Sequence, residues 1–159
     1  MQSDLKAQLL NALEWICRLA LAGIFLYAAF PKLMDPAGFA KAITNYRLVL
    51  PFIGQNYVYP TAMLIPALEA VVGIGLLFNK SKHACSFLAA LLMGLFTVLI
   101  LQAVLRGLNI DCGCFGSSAI AQAKATKVGW LKIGEDICWL AAAIFVYKRS
   151  SPRKPRYRM

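Results

Sequence analysis

Four long apolar segments stand out in the pattern of hydrophobic and polar positions along the chain. They cover residues 13–33, 61–78, 84–105 and 128–147. A helix needs roughly 20 mostly apolar residues to cross about 30 Å of hydrocarbon, so each segment is a candidate transmembrane helix. The third has no charged residue, whereas the fourth holds Lys132, Glu135 and Asp136 in its first half. The pattern predicts an all-α, polytopic membrane protein built as a four-transmembrane-helix bundle.

The connection between the first two segments is long enough to contain structure of its own. Asp35-Pro36 is typical of a helix start with proline in the first turn. Apolar residues then recur at helical spacing, at Phe39, Ile43, Tyr46 and Leu50. We therefore expect an amphipathic interfacial helix within this first outer loop.

Composition and charge favour a membrane protein over other classes. The chain has 159 residues, of which 60% are hydrophobic and 15% are charged. Its mean hydropathy of +0.63 is too high for an ordinary soluble domain of this length. The net charge of +10 is better explained by membrane topology than by nucleic-acid binding, because cytoplasmic loops collect Lys and Arg. The expected partner is the lipid bilayer, and no nucleic acid is expected.

The distribution of basic residues predicts an orientation. With four spans both termini lie on one side, which carries nine Lys and Arg residues against seven on the other side. Six of the nine fall in 148–159, a basic tail that we expect to be disordered next to the membrane domain 1–147. We therefore expect a multi-pass protein of the bacterial inner membrane with both termini in the cytoplasm.

Two cysteines in a tight turn are the main candidates for chemistry. Cys112 and Cys114 flank Gly113 shortly after the third apolar segment, on the side predicted to be periplasmic, where disulfides persist. Glycine allows backbone angles that suit a short disulfide loop, so the pair fits thiol–disulfide exchange. A structural bridge and soft-metal binding, for example of Cu(I), are the alternatives. A closed zinc site needs four ligands, more than this loop offers.

Cys138 is a third candidate. The predicted fourth helix places it one or two turns below the outer surface, within reach of the Cys-Gly-Cys turn. It is either a resolving thiol for Cys112 and Cys114 or a small packing residue, and we favour packing. Cys17 and Cys85 fall near the predicted cytoplasmic ends of their helices, where no redox argument applies.

Charged residues inside the apolar segments are candidates for a binding site, because such charges are costly and usually face the bundle interior. Arg18 and Glu69 have similar estimated depths, which predicts an ion pair between the first and second spans. The pair would either hold these helices together or bind a polar head group such as that of a quinone. A pairing of Lys32 with Asp136 at the outer rim is a further hypothesis.

Many of these residues together resemble the MauE/DoxX family of redox-associated membrane proteins. The resemblance spans about 18–146 and rests on Arg18, Phe30 to Leu33, Asp35, Pro36, Phe39, Tyr46, Pro51, Leu64 to Glu69, Asp111 to Gly116, Trp130 and Asp136. The block from Asp111 to Gly116 is its most specific part and is similar to the MauE-like branch. Glu135 departs from the family pattern, in which a basic residue tends to precede the aspartate.

The resemblance implies a four-helix membrane bundle. For MauE proteins it implies a part in disulfide formation or thiol delivery during maturation of an extracytoplasmic enzyme, methylamine dehydrogenase, alongside a thioredoxin-like periplasmic partner. The residues leave open whether the chain is a thiol–disulfide oxidoreductase or a non-enzymatic accessory or assembly subunit of a larger membrane complex. A soft-metal or small-solute carrier is the third alternative.

The predicted topology is testable with a thiol reagent that does not cross membranes. In a Cys138→Ser background treated with a reductant, we expect Cys112 and Cys114 to react in intact cells. Cys17 and Cys85 should react only after the membrane is permeabilised. The variant Cys112→Ser/Cys114→Ser is the control and should lose the outside labelling. Labelling of Cys85 in intact cells would contradict the orientation.

Overall fold

The computed structural model describes residues 2–45, 57–107 and 130–151, and no strand occurs within these ranges. The helices are α1 (Gln2–Met34), α2 (Pro36–Asn45), α3 (Val58–Leu77), α4 (Lys82–Leu105) and α5 (Trp130–Ser150). The predicted all-α fold class is confirmed. Tyr46 and Leu50, the last apolar positions of the predicted interfacial helix, lie outside the described ranges.

Three of the helices are long and apolar enough to cross a membrane: Asp4–Met34 within α1, and the whole of α3 and α4. α1 has 33 residues and is about 50 Å long at 1.5 Å per residue, so it exceeds the roughly 30 Å of hydrocarbon. α5 has 21 residues, but its charged first half makes it less apolar on average than α3 or α4. The protein is therefore a multi-pass membrane protein, and a fourth crossing by α5 stays a prediction.

α1, α3, α4 and α5 form a bundle in which each helix packs against two antiparallel neighbours. α1 contacts α3 and α5, and α4 contacts the same two helices. The core consists of apolar side chains from all four helices, among them Leu21, Ala22, Phe25, Val72, Leu76, Ala89, Ala143 and Val146. We call the end where α1 and α4 finish and α5 begins the distal end. The proximal end is the one where α3 finishes and α4 begins.

The short helix α2 begins where the sequence predicts it. Asp35 Oδ1 accepts a hydrogen bond of 2.9 Å from the Gly38 N–H, and Pro36 occupies the first helical position. Both features are typical of a capped helix start, because the first N–H groups of a helix have no intrahelical acceptor. Phe39 is buried against Ala62 of α3. α2 is thus fixed by its cap and by one apolar face.

Short local structures set the two ends of α4. Residues 78–81 connect α3 to α4, and Ser81 Oγ donates a hydrogen bond of 2.7 Å to the Gly75 carbonyl. At the other end, Gly107 has a φ of +64°, and its N–H donates to the Val104 carbonyl at 3.0 Å. Glycine is favoured in this left-handed conformation, which ends a helix. The short connection keeps α3 and α4 antiparallel.

A close approach of α1 and α3 depends on Gly73. A Cβ atom at this position would lie 2.9 Å from Leu26 Cγ and 3.2 Å from the Ala22 carbonyl oxygen. The Ala22 carbonyl belongs to the backbone of α1 and cannot move aside unless the helix moves. Small residues allow this kind of close packing between membrane helices. Gly73 therefore sets the distance between α1 and α3.

Replacing Gly73 should destabilise the bundle although alanine is the better helix former. We expect Gly73→Ala to lower the free energy of unfolding by about 1–3 kcal/mol, because overpacking pushes α1 and α3 apart. The matched control is Gly94→Ala in α4, where a Cβ meets nothing within 4 Å. The control should be neutral or stabilising by up to about 1 kcal/mol. Unfolding by SDS in detergent micelles, followed by circular dichroism, measures both; equal effects would contradict the prediction.

Candidate functional site

A buried ion pair joins α1 to α3 in the distal half of the bundle. Lys32 Nζ lies 2.7 Å from Glu69 Oε1 and 2.9 Å from Oε2, and both side chains are almost fully buried. The ammonium group also lies 5.0 Å and 5.1 Å from the ring centroids of Phe39 and Phe96, within cation–π distance. Each charge compensates the other for the loss of water, which neither could tolerate alone at this depth.

A second charged group lies on the first two turns of α5. Lys132 Nζ is 3.1 Å from Glu135 Oε2 and 3.2 Å from Asp136 Oδ1, its i,i+3 and i,i+4 neighbours on one helix face. Lys132 and Asp136 are buried, whereas the Glu135 side chain is half exposed. Asp136 Oδ2 is buried and has no hydrogen-bond partner among the described residues. This oxygen can accept a hydrogen bond from a bound group.

Both charged groups line one cavity of about 200 Å³, which we call the distal cavity. Four helices contribute its walls: Gly23, Ile24, Phe25, Tyr27, Ala28, Lys32, Glu69, Met93, Phe96, Lys132, Glu135, Asp136 and Trp139. Of its lining residues, Gly23 and Tyr27 of α1 and Glu135 of α5 are exposed, from which we infer that the mouth of the cavity lies between α1 and α5. Apolar and aromatic walls with a few converging polar groups are typical of a ligand-binding site.

Arg18 lies toward the proximal end, and the predicted ion pair between Arg18 and Glu69 is wrong. Its guanidinium donates from Nε and Nη2 to the Leu76 carbonyl at 3.0 and 2.8 Å, and from Nη1 to Asn79 Oδ1 at 2.8 Å. It also lies 4.3 Å from the centre of the Trp15 ring. The last carbonyls of a helix lack intrahelical donors and carry partial negative charge. The end of α3 therefore binds Arg18, while Glu69 pairs with Lys32.

The hypothesis that Lys32 pairs with Asp136 is also wrong, although both line the distal cavity. Lys32 binds Glu69, and Asp136 binds Lys132. Lys132 and Asp136 are four residues apart on a predicted helix, and this spacing alone could have predicted their ion pair. The Lys32–Glu69 pair had no such signal, because it depends on the depth at which α3 passes the end of α1.

Of the three candidate cysteines, only Cys138 lies within the described residues. Cys112 and Cys114, on the connection between α4 and α5, lie outside the described residues. Cys138 is free and exposed, so it does not contribute to the buried core of the described bundle. Its role as a resolving thiol stays a prediction. Within the described ranges, no group of three or more His, Cys, Asp or Glu side chains is suited to hold a metal ion.

An all-α bundle with apolar crossings, buried ion pairs and a charged cavity between its helices defines a multi-pass membrane protein with an internal polar site. The sequence matches the family model described as "Methylamine utilisation protein MauE" over residues 10–149. The chain belongs to the MauE family, which confirms the resemblance to that branch.

Curated relatives carry the same family name. The chain is 32% identical over 133 residues to the methylamine utilization protein MauE of Paracoccus denitrificans, covering 83% of this chain and 67% of the relative. It is 34% identical over 119 residues to the MauE protein of Methylorubrum extorquens, covering 74% of this chain and 59% of the relative. The MauE protein of Methylophilus methylotrophus is 37% identical over 97 residues, which are 60% of this chain and 49% of that relative. No solved structure matches the chain.

Breaking the Lys32–Glu69 pair should be strongly destabilising. We expect Lys32→Met to lower the free energy of unfolding by about 3–5 kcal/mol, because it leaves the Glu69 carboxylate buried without compensation. The double variant Lys32→Met/Glu69→Leu should recover most of this loss in a double-mutant cycle. SDS unfolding in detergent micelles measures both.

The control for this cycle is the Glu14–Lys82 pair, at 2.8 Å, whose lysine is 28% exposed. Arg149 Nε also lies 3.8 Å from Glu14, so this carboxylate keeps a cation when Lys82 is replaced. Lys82→Met should cost less than about 1 kcal/mol. Similar losses for Lys82→Met and Lys32→Met would refute the dependence on burial.

Proposed function

We propose that this MauE-family protein is an inner-membrane thiol–disulfide redox protein that supports disulfide formation in, or maturation of, a periplasmic protein. Cys112 and Cys114 are the exchanging pair, and a thioredoxin-like protein is their partner. Family membership supports the proposal, as do relatives whose name assigns them to methylamine utilisation. We accordingly place this chain in methylamine utilisation.

The observation that carries the proposal is the position of two helix ends, the end of α4 and the start of α5, which flank Cys112 and Cys114 in the sequence. Ile100 in the last turns of α4 packs against Ile133 in the first turn of α5. Both helix ends therefore lie at the distal end. The distal cavity lies in the same half of the bundle. The chain that carries the proposed cysteine pair thus leaves α4 and enters α5 in the half of the bundle that holds the charged cavity.

The exchange reaction moves two electrons. One thiolate of the reduced pair attacks a sulfur of a partner disulfide, a mixed disulfide forms and the second partner sulfur leaves as a thiolate. The other cysteine of the pair then attacks the mixed disulfide and releases the partner. Cys112 and Cys114 end as a disulfide and the partner ends as a dithiol; the reverse sequence oxidises the partner instead.

The charge pairs on α5 support the proposal that this helix is a fourth crossing. Lys132 pairs with Glu135 and Asp136, so one cation offsets part of the charge of two carboxylates, and charges within membrane helices usually pair in this way. Four crossings put both termini on the same side of the membrane, and the excess of Lys and Arg on that side favours the cytoplasm. In this orientation Cys112 and Cys114 face the periplasm, where disulfides persist.

Thiol trapping tests the proposal. In a background in which Cys17, Cys85 and Cys138 are replaced by alanine, a mass-shifting alkylator reports Cys112 and Cys114 alone. We expect two added masses in membranes treated with a reductant and none after reoxidation. With the further change Cys114→Ser, Cys112 should accumulate a mixed disulfide with a second protein, and the adduct should disappear on reduction.

The same experiment separates a redox protein from an assembly subunit. Two results together would contradict the redox proposal: a Cys112–Cys114 disulfide that is neither reduced nor re-formed, and a Cys114→Ser variant that forms no mixed disulfide with another protein. The pair would then be a structural clip in an accessory subunit. Restoring Cys138 alone tests its role as a resolving thiol. A resolving Cys138 should shorten the lifetime of the mixed disulfide, whereas a packing Cys138 should leave that lifetime unchanged.

A further inference from the structure

We propose that the distal cavity binds the ring of a membrane quinone, and that Asp136 Oδ2 accepts a hydrogen bond from a hydroxyl group of the reduced ring. The binding follows from the cavity itself. The role of the quinone as electron acceptor rests on the proposed thiol–disulfide function.

The volume and the aromatic lining of the cavity fit a ligand with a single ring. Its volume of about 200 Å³ is below the roughly 300–1,000 Å³ of pockets for drug-sized ligands. It is somewhat larger than a dry cavity of about 150 Å³ that holds benzene in another protein. Phe25, Tyr27, Phe96 and Trp139 line it, and aromatic side chains favour stacked or edge-on contacts with a ring. A flavin or a nucleotide is too large for this space.

Two polar groups in the cavity match the two redox forms of a quinone. Asp136 Oδ2 is a buried acceptor without a donor among the described residues, and a hydroquinone hydroxyl supplies that donor. Lys32 Nζ has three N–H donors, of which the Glu69 carboxylate accepts two. The third can donate to a quinone carbonyl oxygen. A ring that alternates between carbonyl and hydroxyl groups uses both sites, whereas a plain hydrocarbon uses neither.

The mouth of the cavity is placed for a ligand that arrives from the lipid. It lies between α1 and α5 and is bordered by exposed Gly23 and Tyr27. Both residues belong to the apolar segment Asp4–Met34, which is long enough to cross the membrane. Gly23 has no side chain, and a Cβ built there meets nothing within 4 Å. A quinone with its tail in the bilayer can therefore place its ring between the two helices.

The electrons and protons balance for a quinone acceptor. Oxidation of the Cys112 and Cys114 thiols to a disulfide releases two electrons and two protons. The quinone ring takes up two electrons, and its two carbonyl oxygens take up two protons, which yields a hydroquinone. The disulfide is thereby regenerated for the next exchange with the partner protein.

Fluorescence quenching in lipid nanodiscs tests the binding with the full chain. The variant Trp15→Phe/Trp130→Phe leaves Trp139, which lines the cavity, as the last of three tryptophans. Titration with decylubiquinone should quench this fluorescence to saturation. Gly23→Leu should narrow the mouth and weaken binding at least tenfold. The matched control Gly94→Leu adds the same side chain to a helix glycine that also has open space but does not line the cavity, and it should bind like the parent.

A second pair of variants tests the hydrogen bond. Asp136→Asn should weaken binding of reduced decylubiquinone at least tenfold. Glu14→Gln makes the same change at a buried carboxylate of the Lys82 pair, outside the cavity, and should leave binding unchanged. Size-exclusion chromatography verifies that each variant is folded. Unsaturable quenching, or equal binding by each variant and its control, would overturn the proposal.

Two further arms separate this proposal from its alternatives. Three carboxylates face two ammonium groups in the cavity, so a small organic cation is the competing ligand. Displacement of decylubiquinone by millimolar methylammonium would overturn the proposal in favour of a cation site. The variant Cys112→Ser/Cys114→Ser should bind decylubiquinone like the parent. Retained binding in that variant supports the quinone site even if thiol trapping shows no redox activity of the cysteine pair. A failure of the redox proposal is thus distinguishable from a failure of the quinone proposal.

Discussion

The buried ion pair between Lys32 and Glu69 is the interaction on which the distal half of the bundle depends. It joins the last turn of α1 to the middle of α3 through two short hydrogen bonds. Phe39 of α2 lies beside the same ammonium group, so α2 packs over the pair. Charges in a medium of low polarity are acceptable only when each compensates the other. The pair therefore specifies which faces of α1 and α3 meet.

Polar interactions in this bundle are concentrated at two levels, with an apolar core between them. At the proximal end, Arg18 binds the last carbonyls of α3, and Glu14 pairs with Lys82. At the distal level, Lys32 and Lys132 bind their carboxylate partners. Apolar packing in lipid gives little directional preference, because lipid tails are as apolar as the side chains. The two polar levels thus fix the rotation and depth of the helices.

The distal cavity follows from the same arrangement. Lys32 of α1 pairs with Glu69 and Asp136 of α5 pairs with Lys132, so charges line the space between Lys32 and Asp136 but no ion pair closes it. Large aromatic side chains, Phe96 and Trp139 among them, complete the walls. The unsatisfied Asp136 oxygen makes the cavity a site for a hydrogen-bond donor. The cavity lies in the half where α4 ends and α5 begins, and these two helix ends flank the cysteine pair of the proposed redox function in the sequence.

The sequence by itself determined the helical class, the apolar segments and the start of α2, because helix length, apolar spacing and the Asp35-Pro36 cap are local properties. It also identified Glu69 as an unusual charge within an apolar segment. Only the tertiary structure decided that its partner is Lys32 rather than Arg18, and that Cys138 is exposed. Partner choice depends on how far each helix is shifted and rotated against its neighbours. A shift of one turn, about 5.4 Å, moves a carboxylate from one cation to the next, and no local pattern encodes it.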